Sequence, residues 1–316
     1  MVLTEVLRDC RSIAVGGHVN PDGDCAGACM GMALYLRKVM PEARVDVFLE
    51  KLPPEVERNV PGTESVLHEV PQDAVYDAFI VLDAVNGRLG FSEPLFDRAR
   101  VTVNIDHHVS NSGCAAHNYV DGYAGSTCEL IAELIGKEDM DAEIAQALYV
   151  GIVTDTGVFQ YPSTSEKTMR TAGMLMSFGF DFSKVVREVF FLMTPLQMRM
   201  RGAAFERAEL LLGGRYILCV MDRALQEKYG ADRDSLDSIS SELLLTEGVD
   251  CSVFAHETEP GVWRVSMRSV KIVDVVSIAC LFDGGGHTRA AGCTVYGAIE
   301  PALQKIEKEV RQQLHA

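Results

Sequence analysis

The sequence predicts an α/β protein in two parts: a mostly parallel sheet flanked by helices, then a second, smaller mixed α/β domain. Three observations predict this. Short apolar runs alternate with helix-period segments through the first half, the pattern of parallel strands joined by helical crossovers. A hairpin pattern appears only in the second half. The length, 316 residues, suits two domains of about 150 each.

Taken in order, Ser12–Gly16, Val45–Leu49, Ala78–Leu82 and Val101–Ile105 have the length and apolar, β-branched character of strands. Helices are expected over Ala26–Val39, Thr127–Ile135, Ala142–Val150 and Glu166–Phe178, where apolar residues recur three and four positions apart. These elements make up a domain over residues 1–190. Residues 191–212 hold no turn cluster after Pro195 and predict a helical connector, its methionine-rich run Met193 to Met200 serving as packing. Gly213 and Gly214 open the second domain, 213–316. There RYILCVMD predicts a strand, and CSVFAHETEPGVWRVSMRS a hairpin turning at Glu259, Pro260 and Gly261. Helices fit Val273–Leu281 and Glu300–Leu314, and no internal repeat or low-complexity tract is seen.

Hydrophobic residues at 47% and charged residues at 23% exclude disordered, collagen-like and disulfide-miniprotein classes. The balance of 29 Lys plus Arg against 45 Asp plus Glu leaves a net charge of −16, so no sequence-independent grip on a long phosphate backbone is expected. A small phosphorylated ligand stays open, because net charge does not describe one cleft. Nine cysteines, an odd number with no C-x-x-C pair, predict reduced thiols and a cytoplasmic location. The N-terminus lacks the charged and apolar regions of a secretion signal, and no apolar run approaches the roughly 18 residues of a membrane span.

Directly after the first expected strand comes HVNPDGD, which sets His18, Asp22 and Asp24 on a turn forced by Pro21 and Gly23. The third strand runs into Asp83, the fourth into Asp106, His107 and His108, and Asp155 follows the helix Ala142–Val150 in GIVTDTG. Open α/β sheets place their ligand crevice at carboxyl ends of strands, where several of these residues fall. Each has an ordinary explanation alone, as cap, turn or half-buried histidine. Five acids and three histidines at segment ends point instead to hard-to-borderline divalent ions, the imidazoles favouring Mn²⁺ over Mg²⁺. A carboxylate bridging two such ions about 3.5–4 Å apart is the usual arrangement for phosphoester hydrolysis. Asp24 also precedes a helix of small residues, CAGACMG, whose free N–H groups suit a phosphate. In that segment Cys25 and Cys29 are expected as packing residues rather than as a thiol metal site.

HVNPDGD, the Asp83 of VLDAVN, IDHH and VTDTG resemble the four motifs of the DHH phosphoesterases, in order and at similar spacing, over residues 12 to about 160. The resemblance implies that His18, Asp22 and Asp83 hold one metal ion, and Asp24, Asp83, His107 and Asp155 the other, with Asp83 bridging. It further implies that His108 faces the scissile phosphate and that Asp106 orients the histidines. The chain departs from many relatives at Ala26-Gly27-Ala28, where a serine follows the acidic pair.

Near the C-terminus, GGGH (Gly284, Gly285, Gly286, His287) precedes Arg289, and Arg268 and Ser269 lie upstream. Glycine triplets are usually tight turns. Their exposed N–H groups also cradle anions, and Arg268, His287 and Arg289 supply charge-assisted donors. This segment resembles the DHH-associated C-terminal domain found in exonuclease RecJ, in alanyl-tRNA synthetases and in small stand-alone phosphoesterases, where it binds the nucleotide end of the substrate. Trp263 in the hairpin is expected as a half-buried strand aromatic rather than a base-stacking platform.

The size and order of the two domains resemble the stand-alone members that act as oligoribonuclease and adenosine 3′,5′-bisphosphate (pAp) phosphatase. The expected activity is therefore that of a two-metal phosphodiesterase and phosphatase, with Mn²⁺ as the favoured ion. Hydrolysis of cyclic dinucleotides is the runner-up, and a non-catalytic nucleotide-binding regulator is disfavoured because the metal-type residues are all present. Expected partners are short oligonucleotides or small phosphorylated nucleotides, with no preference for long nucleic acid, no membrane, and a second copy of the chain in a homodimer.

Overall fold

The computed structural model describes residues 2–315 other than 86, 233 and 237, so Asn86, the last residue of the VLDAVN motif, lies outside it. Residues up to Leu192 form one compact unit and those from Met193 onward a second.

The first unit is built on a six-stranded sheet of β1 (Ser12–Gly16), β2 (Arg44–Phe48), β3 (Val66–Leu67), β4 (Ala78–Leu82), β5 (Val101–Asp106) and β6 (His117–Val120). The spatial order is β3-β2-β1-β4-β5-β6, and every neighbouring pair is parallel. All five residues of β4 (AFIVL) are buried, as befits a central strand covered on both faces. On one face the helices Gly23–Val39, Thr127–Ile135, Ala142–Asp155 and Glu166–Met176 enclose the main core. On the other, Phe79, Val81, Leu95 and Phe96 form a smaller one, with Phe79 and Phe96 edge to face.

The four strands read from sequence agree with the structure to within a residue. β3 and β6 escaped notice because they are edge strands, β3 only two residues long and β6 opening on the polar pair His117 and Asn118. Two helix ends need correction. The helix expected from Ala26 begins at Gly23, because Asp22 caps it, so Asp24 lies in its first turn rather than ahead of it. Ala142–Val150 continues through Gly151 to Asp155, so Asp155 is the last helical residue rather than a residue beyond the helix. Gly151 continues the helix because the helix Gly23–Val39 crosses it there. A Cβ at Gly151 would stand 2.3 Å from Cys128 Sγ and 2.6 Å from Asp24 Oδ1, and one at Gly27 would stand 2.4 Å from the Ala147 carbonyl. The small residues of CAGACMG thus let two helices approach closely.

The second unit carries a mixed sheet in the order β11-β12-β10-β9-β8-β7, from β7 (Glu209–Leu211), β8 (Tyr216–Met221), β9 (Cys251–Glu259), β10 (Val262–Ser269), β11 (Gly285–His287) and β12 (Ala290–Tyr296). β9 and β10 form the expected hairpin, and β8 runs parallel to β9. Behind the sheet, Trp263, Val265 and Met267 of β10 pack with Ile306 and Val310 of the helix Glu300–His315. In front, Met200, Ala203 and Ala204 of the helix Pro195–Arg207 join Ile217, Cys219 and Phe254 in a separate cluster. That helix opens with a reciprocal cap between Thr194 and Gln197. Among the described residues no helix is long and apolar enough to cross a membrane.

Candidate metal and phosphate site

The chain leaves β1 toward β2 on one side and reaches β4 on the other, so the neighbours β1 and β4 flank the point where strand order reverses. Beyond β1, His18 is followed by Asn20 in the left-handed region (φ 54°), and Asp22 caps the helix Gly23–Val39 by accepting from the Asp24 and Cys25 amides, each at 3.0 Å. Beyond β4, Asp83 is itself left-handed (φ 55°), a strained conformation for a residue with a Cβ, and its amide donates to the Ile105 carbonyl at 3.1 Å. β5 ends at Asp106 and delivers His107 and His108. The crossing helices bring Asp155 in from the side.

Asp83 stands at the centre. Its Oδ2 lies 3.4 Å from His18 Nε2, and its Oδ1 lies 3.6 Å from His107 Nε2, so the two oxygens of one carboxylate face two different imidazoles. His18 Nε2 is also 3.8 Å from Asp22, while His107 Nε2 is 3.9 Å from Asp24 and 3.2 Å from Asp155. Donor atoms of Asp24, His107 and Asp155 all fall within 4.8 Å of one another, as do those of His18, Cys25 and Asp83.

These acids repel each other. Burial, then the charges of Asp83, Asp155 and Asp22, push the Asp24 carboxyl well above the usual range. Burial raises Asp155 to about 6; His107 works against this, and Asp83 and Asp22 add to it. Burial opposes charging of His18, but contacts with Asp22 and Asp83 outweigh it and raise its pKa. Burial likewise pushes the Cys25 thiol up, reinforced by Cys29. A carboxylate and imidazole set under mutual repulsion fits divalent cations, which supply the missing positive charge.

Surrounding groups fix the acids in place. Asp24 Oδ2 accepts from the Thr127 amide at 2.7 Å and Oδ1 from the Cys128 amide at 3.0 Å, which seats this buried carboxylate on the free N–H groups opening the helix Thr127–Ile135. The Thr127 hydroxyl donates to Asp83 Oδ1 at 3.0 Å. Asp106 Oδ1 accepts from His108 Nδ1 at 2.7 Å, and Asp106 Oδ2 from Asn111 at 2.5 Å. The bond to Asp106 raises the His108 pKa against the opposing effect of burial. For Asp106, burial is outweighed by its bonds to His108 and Asn111, which lower it. Thr127 and Asn111 were not singled out from sequence. Thr127 lies 103 residues from Asp24, and only the folded chain pairs them.

The second unit divides the residues that the sequence grouped together. Arg268, Gly284 and Gly285 line an open hollow of about 1030 Å³. Gly286, His287, Ser269 and Arg289 do not. GGGH is no simple turn: Gly285–His287 pair with β12 as the edge strand β11. Gly286 adopts φ 140°, where a Cβ would meet the Ala290 carbonyl at 2.4 Å. Ser269 is buried and donates to the Val273 carbonyl at 2.6 Å, and Arg289 donates to the same carbonyl at 2.9 Å. Both tie down the loop that leads into the helix Val275–Cys280.

Two family models match separate stretches of the chain. Residues 12–152 match the DHH family N-terminal domain, and residues 213–316 the DHHA1 domain. The chain is 29% identical over 317 residues to the bifunctional oligoribonuclease and PAP phosphatase NrnA of Thermus thermophilus, covering 99% of this chain and 94% of that protein. It is 28% identical to the protein of the same name from Bacillus subtilis, covering 93% of each. Its fold superposes on an exopolyphosphatase-related protein from Bacteroides fragilis with a TM-score of 0.86 at 23% identity, covering 98% of this chain and 94% of that one. The acid and histidine cluster lies on the first matched domain and the glycine and arginine segment on the second, and the chain carries a DHH family N-terminal domain followed by a DHHA1 domain.

Proposed function

We propose that the chain is a two-metal phosphoesterase that degrades short oligonucleotides to mononucleotides and removes the 3′-phosphate of adenosine 3′,5′-bisphosphate, with Mn²⁺ as its preferred ion. The observation that carries this reading is Asp83, whose two oxygens face His18 and His107 separately. His18, Asp22 and Asp83 would hold one ion, and Asp24, Asp83, His107 and Asp155 the other. When bound, two such ions supply a hydroxide near neutral pH and neutralise phosphoryl oxygens. The names of the Thermus and Bacillus relatives support the substrate class.

The protein's own groups do the rest. Asp106 accepts a hydrogen bond from His108 Nδ1, which leaves Nε2 as the nitrogen that faces the scissile phosphate. Asn111 holds Asp106 in turn. In the second unit Arg268 and the Gly284–Gly285 backbone bind a terminal phosphate, while Arg289 holds the loop at Val273. A net charge of −16 gives no reward for backbone phosphates outside these contacts, so short substrates are favoured.

The test is one substrate panel at fixed salt: a dinucleotide, a long oligonucleotide, cyclic di-AMP, adenosine 3′,5′-bisphosphate and pyrophosphate. The dinucleotide and the bisphosphate should be hydrolysed fastest, better with Mn²⁺ than with Mg²⁺, and not at all in chelator. Turnover of pyrophosphate or cyclic di-AMP alone would overturn the proposed substrate class. Sedimentation of the purified chain tests the expected homodimer.

A further inference from the structure

Among the described residues, four acids are buried inside the first unit, Asp24, Asp83, Asp106 and Glu129, and the proposed chemistry uses all but Glu129. Its side chain lies in the first turn of the helix Thr127–Ile135 with no exposed surface. Taking a carboxylate out of water is costly unless donors meet it. Two do. Glu129 Oε2 accepts from the Gly125 amide at 3.0 Å and from the Thr168 hydroxyl at 2.7 Å, while Oε1 has no hydrogen-bond partner among the described residues.

Both donors are themselves fixed. Thr168 belongs to the reciprocal cap that opens the helix Glu166–Met176, where its hydroxyl accepts from the Ser165 amide at 3.1 Å. A Cβ at Gly125 would stand 3.0 Å from Thr168 Oγ1 and 3.1 Å from Glu129 Oε2, so a glycine lets both oxygens close in on that amide without displacing them.

The Gly125 N–H and the Ala124 carbonyl are the two ends of one planar trans peptide unit and point in opposite directions. Whatever holds the N–H therefore aims the carbonyl. The Ala124 carbonyl oxygen lies 3.4 Å from His107 Nδ1, and because a carbonyl only accepts, Nδ1 is the protonated nitrogen of that bond. Nε2 keeps its lone pair on the side of Asp24, Asp83 and Asp155, which it approaches at 3.9, 3.6 and 3.2 Å. A carboxylate on the N–H end of the peptide also polarises it and makes its carbonyl a stronger acceptor.

We propose that Glu129 is a positioning residue for His107: held by Thr168, it fixes the Ala124–Gly125 peptide, whose carbonyl in turn orients the imidazole with Nε2 bare toward the ion that Asp24, Asp83 and Asp155 would share. The inference rests on the two-metal reading above and adds a residue that acts on one ion from outside its ligand set.

Calorimetric titration of the full chain with Mn²⁺ tests this relay, and the wild type should bind two ions. Glu129→Met keeps the length and bulk of the side chain but removes the acceptor, and should weaken one of the two binding events roughly 10- to 100-fold while leaving the ion at His18 and Asp22 unchanged. Glu129→Gln still accepts from Gly125 and Thr168 through its amide oxygen, so it should lose only about 3- to 5-fold, the part due to charge. A merely structural role would weaken both ions, and would do so whatever stands at position 107. The decisive comparison is therefore a double-mutant cycle: in a His107→Ala background, where three acids still hold the ion more weakly, neither Glu129 substitution should have a further effect. If the Met variant does not fold, Glu129→Gln, which has the shape of the native side chain, runs the same cycle alone. Wild-type affinity in every folded variant, equal loss at both ions, or an undiminished loss without His107 would each overturn the relay. Two ions on the wild type with unaltered variants defeats only the relay, whereas fewer than two ions on the wild type defeats the two-metal reading and the relay together.

Discussion

The acid and histidine cluster of the first unit and the arginine-bearing sheet face of the second solve opposite problems. The first concentrates charge: Asp24 and Asp83 are buried, burial and the neighbouring acids raise the pKa of Asp24 and Asp155, and Asp83 adopts a left-handed backbone. The second spreads charge over a surface whose reverse side is an ordinary apolar core, so Arg264 and Arg268 cost the fold little. A site that must attract cations is assembled against its own electrostatics and depends on packing from distant segments. The phosphate-binding face proposed for the second unit is laid on a finished scaffold. Substitutions in the first should therefore affect chemistry and stability together, whereas those in the second should change binding alone.

The strongest break of this contrast comes from Asp83→Ala, which removes the carboxylate shared by both halves of the cluster. Turnover of a dinucleotide should fall by at least ~10²-fold, since even groups that merely orient metal ligands are worth 10–100-fold. Retention of more than a few per cent of turnover, about what such orienting groups cost, would remove Asp83 from its bridging role. Next in size, Arg268→Ala should raise KM roughly 10- to 100-fold while metal content, read by elemental analysis, stays that of the wild type. A parallel loss of bound metal would show that the two regions are not separable.

Gly151→Ala tests whether packing holds the cluster together. Its methyl group would meet Asp24 Oδ1 and Cys128 Sγ, so thermal unfolding should show a loss of about 1–3 kcal/mol, accompanied by weaker Mn²⁺ binding. Unchanged metal affinity with lowered stability would uncouple the two. The smallest effect belongs to His256, whose pKa burial and then the charge of Arg264 lower to about 4. Above its ordinary pKa of 6.5 neither the folded nor the unfolded chain protonates it. Between 6.5 and about 4 the unfolded chain takes up a proton that the folded one refuses, so stability falls as pH falls through that window. Compared with His256→Phe, the wild type should lose about 1–2 kcal/mol on going from pH 7 to pH 4 after discounting for partial exposure. A flat difference between the two curves would mean that the ring is not held neutral.

Much of the first unit was legible because its signals are local. β4 is a buried run of five apolar residues, and His18, Asp22, Asp24, Asp83, Asp106, His107 and His108 fall where strands or turns end in the sequence itself. What stayed hidden depends on approach between distant segments. Gly151 reads as a helix breaker until the crossing helix explains it, and that misplaced Asp155 by one element. Thr127 and Asn111 are unremarkable hydrogen-bonding residues until the fold sets them against Asp83 and Asp106. In the second unit, proximity in sequence misled. Ser269 and Arg289 neighbour the expected phosphate-binding residues along the chain but point to the Val273 carbonyl.

The crossing of the helices Gly23–Val39 and Ala142–Asp155 also sets a timetable. Asp24 is made early in translation, yet its partner Asp155 emerges 131 residues later, after about half of the chain has been synthesised. At roughly 5–20 residues per second, several seconds separate the first acid from the last. Asp24 gains the amides that seat its carboxylate only once Thr127 and Cys128 have been made, and its last acidic neighbour, Asp155, follows 27 residues after Cys128. The acid cluster is thus complete only when most of the first unit has been made.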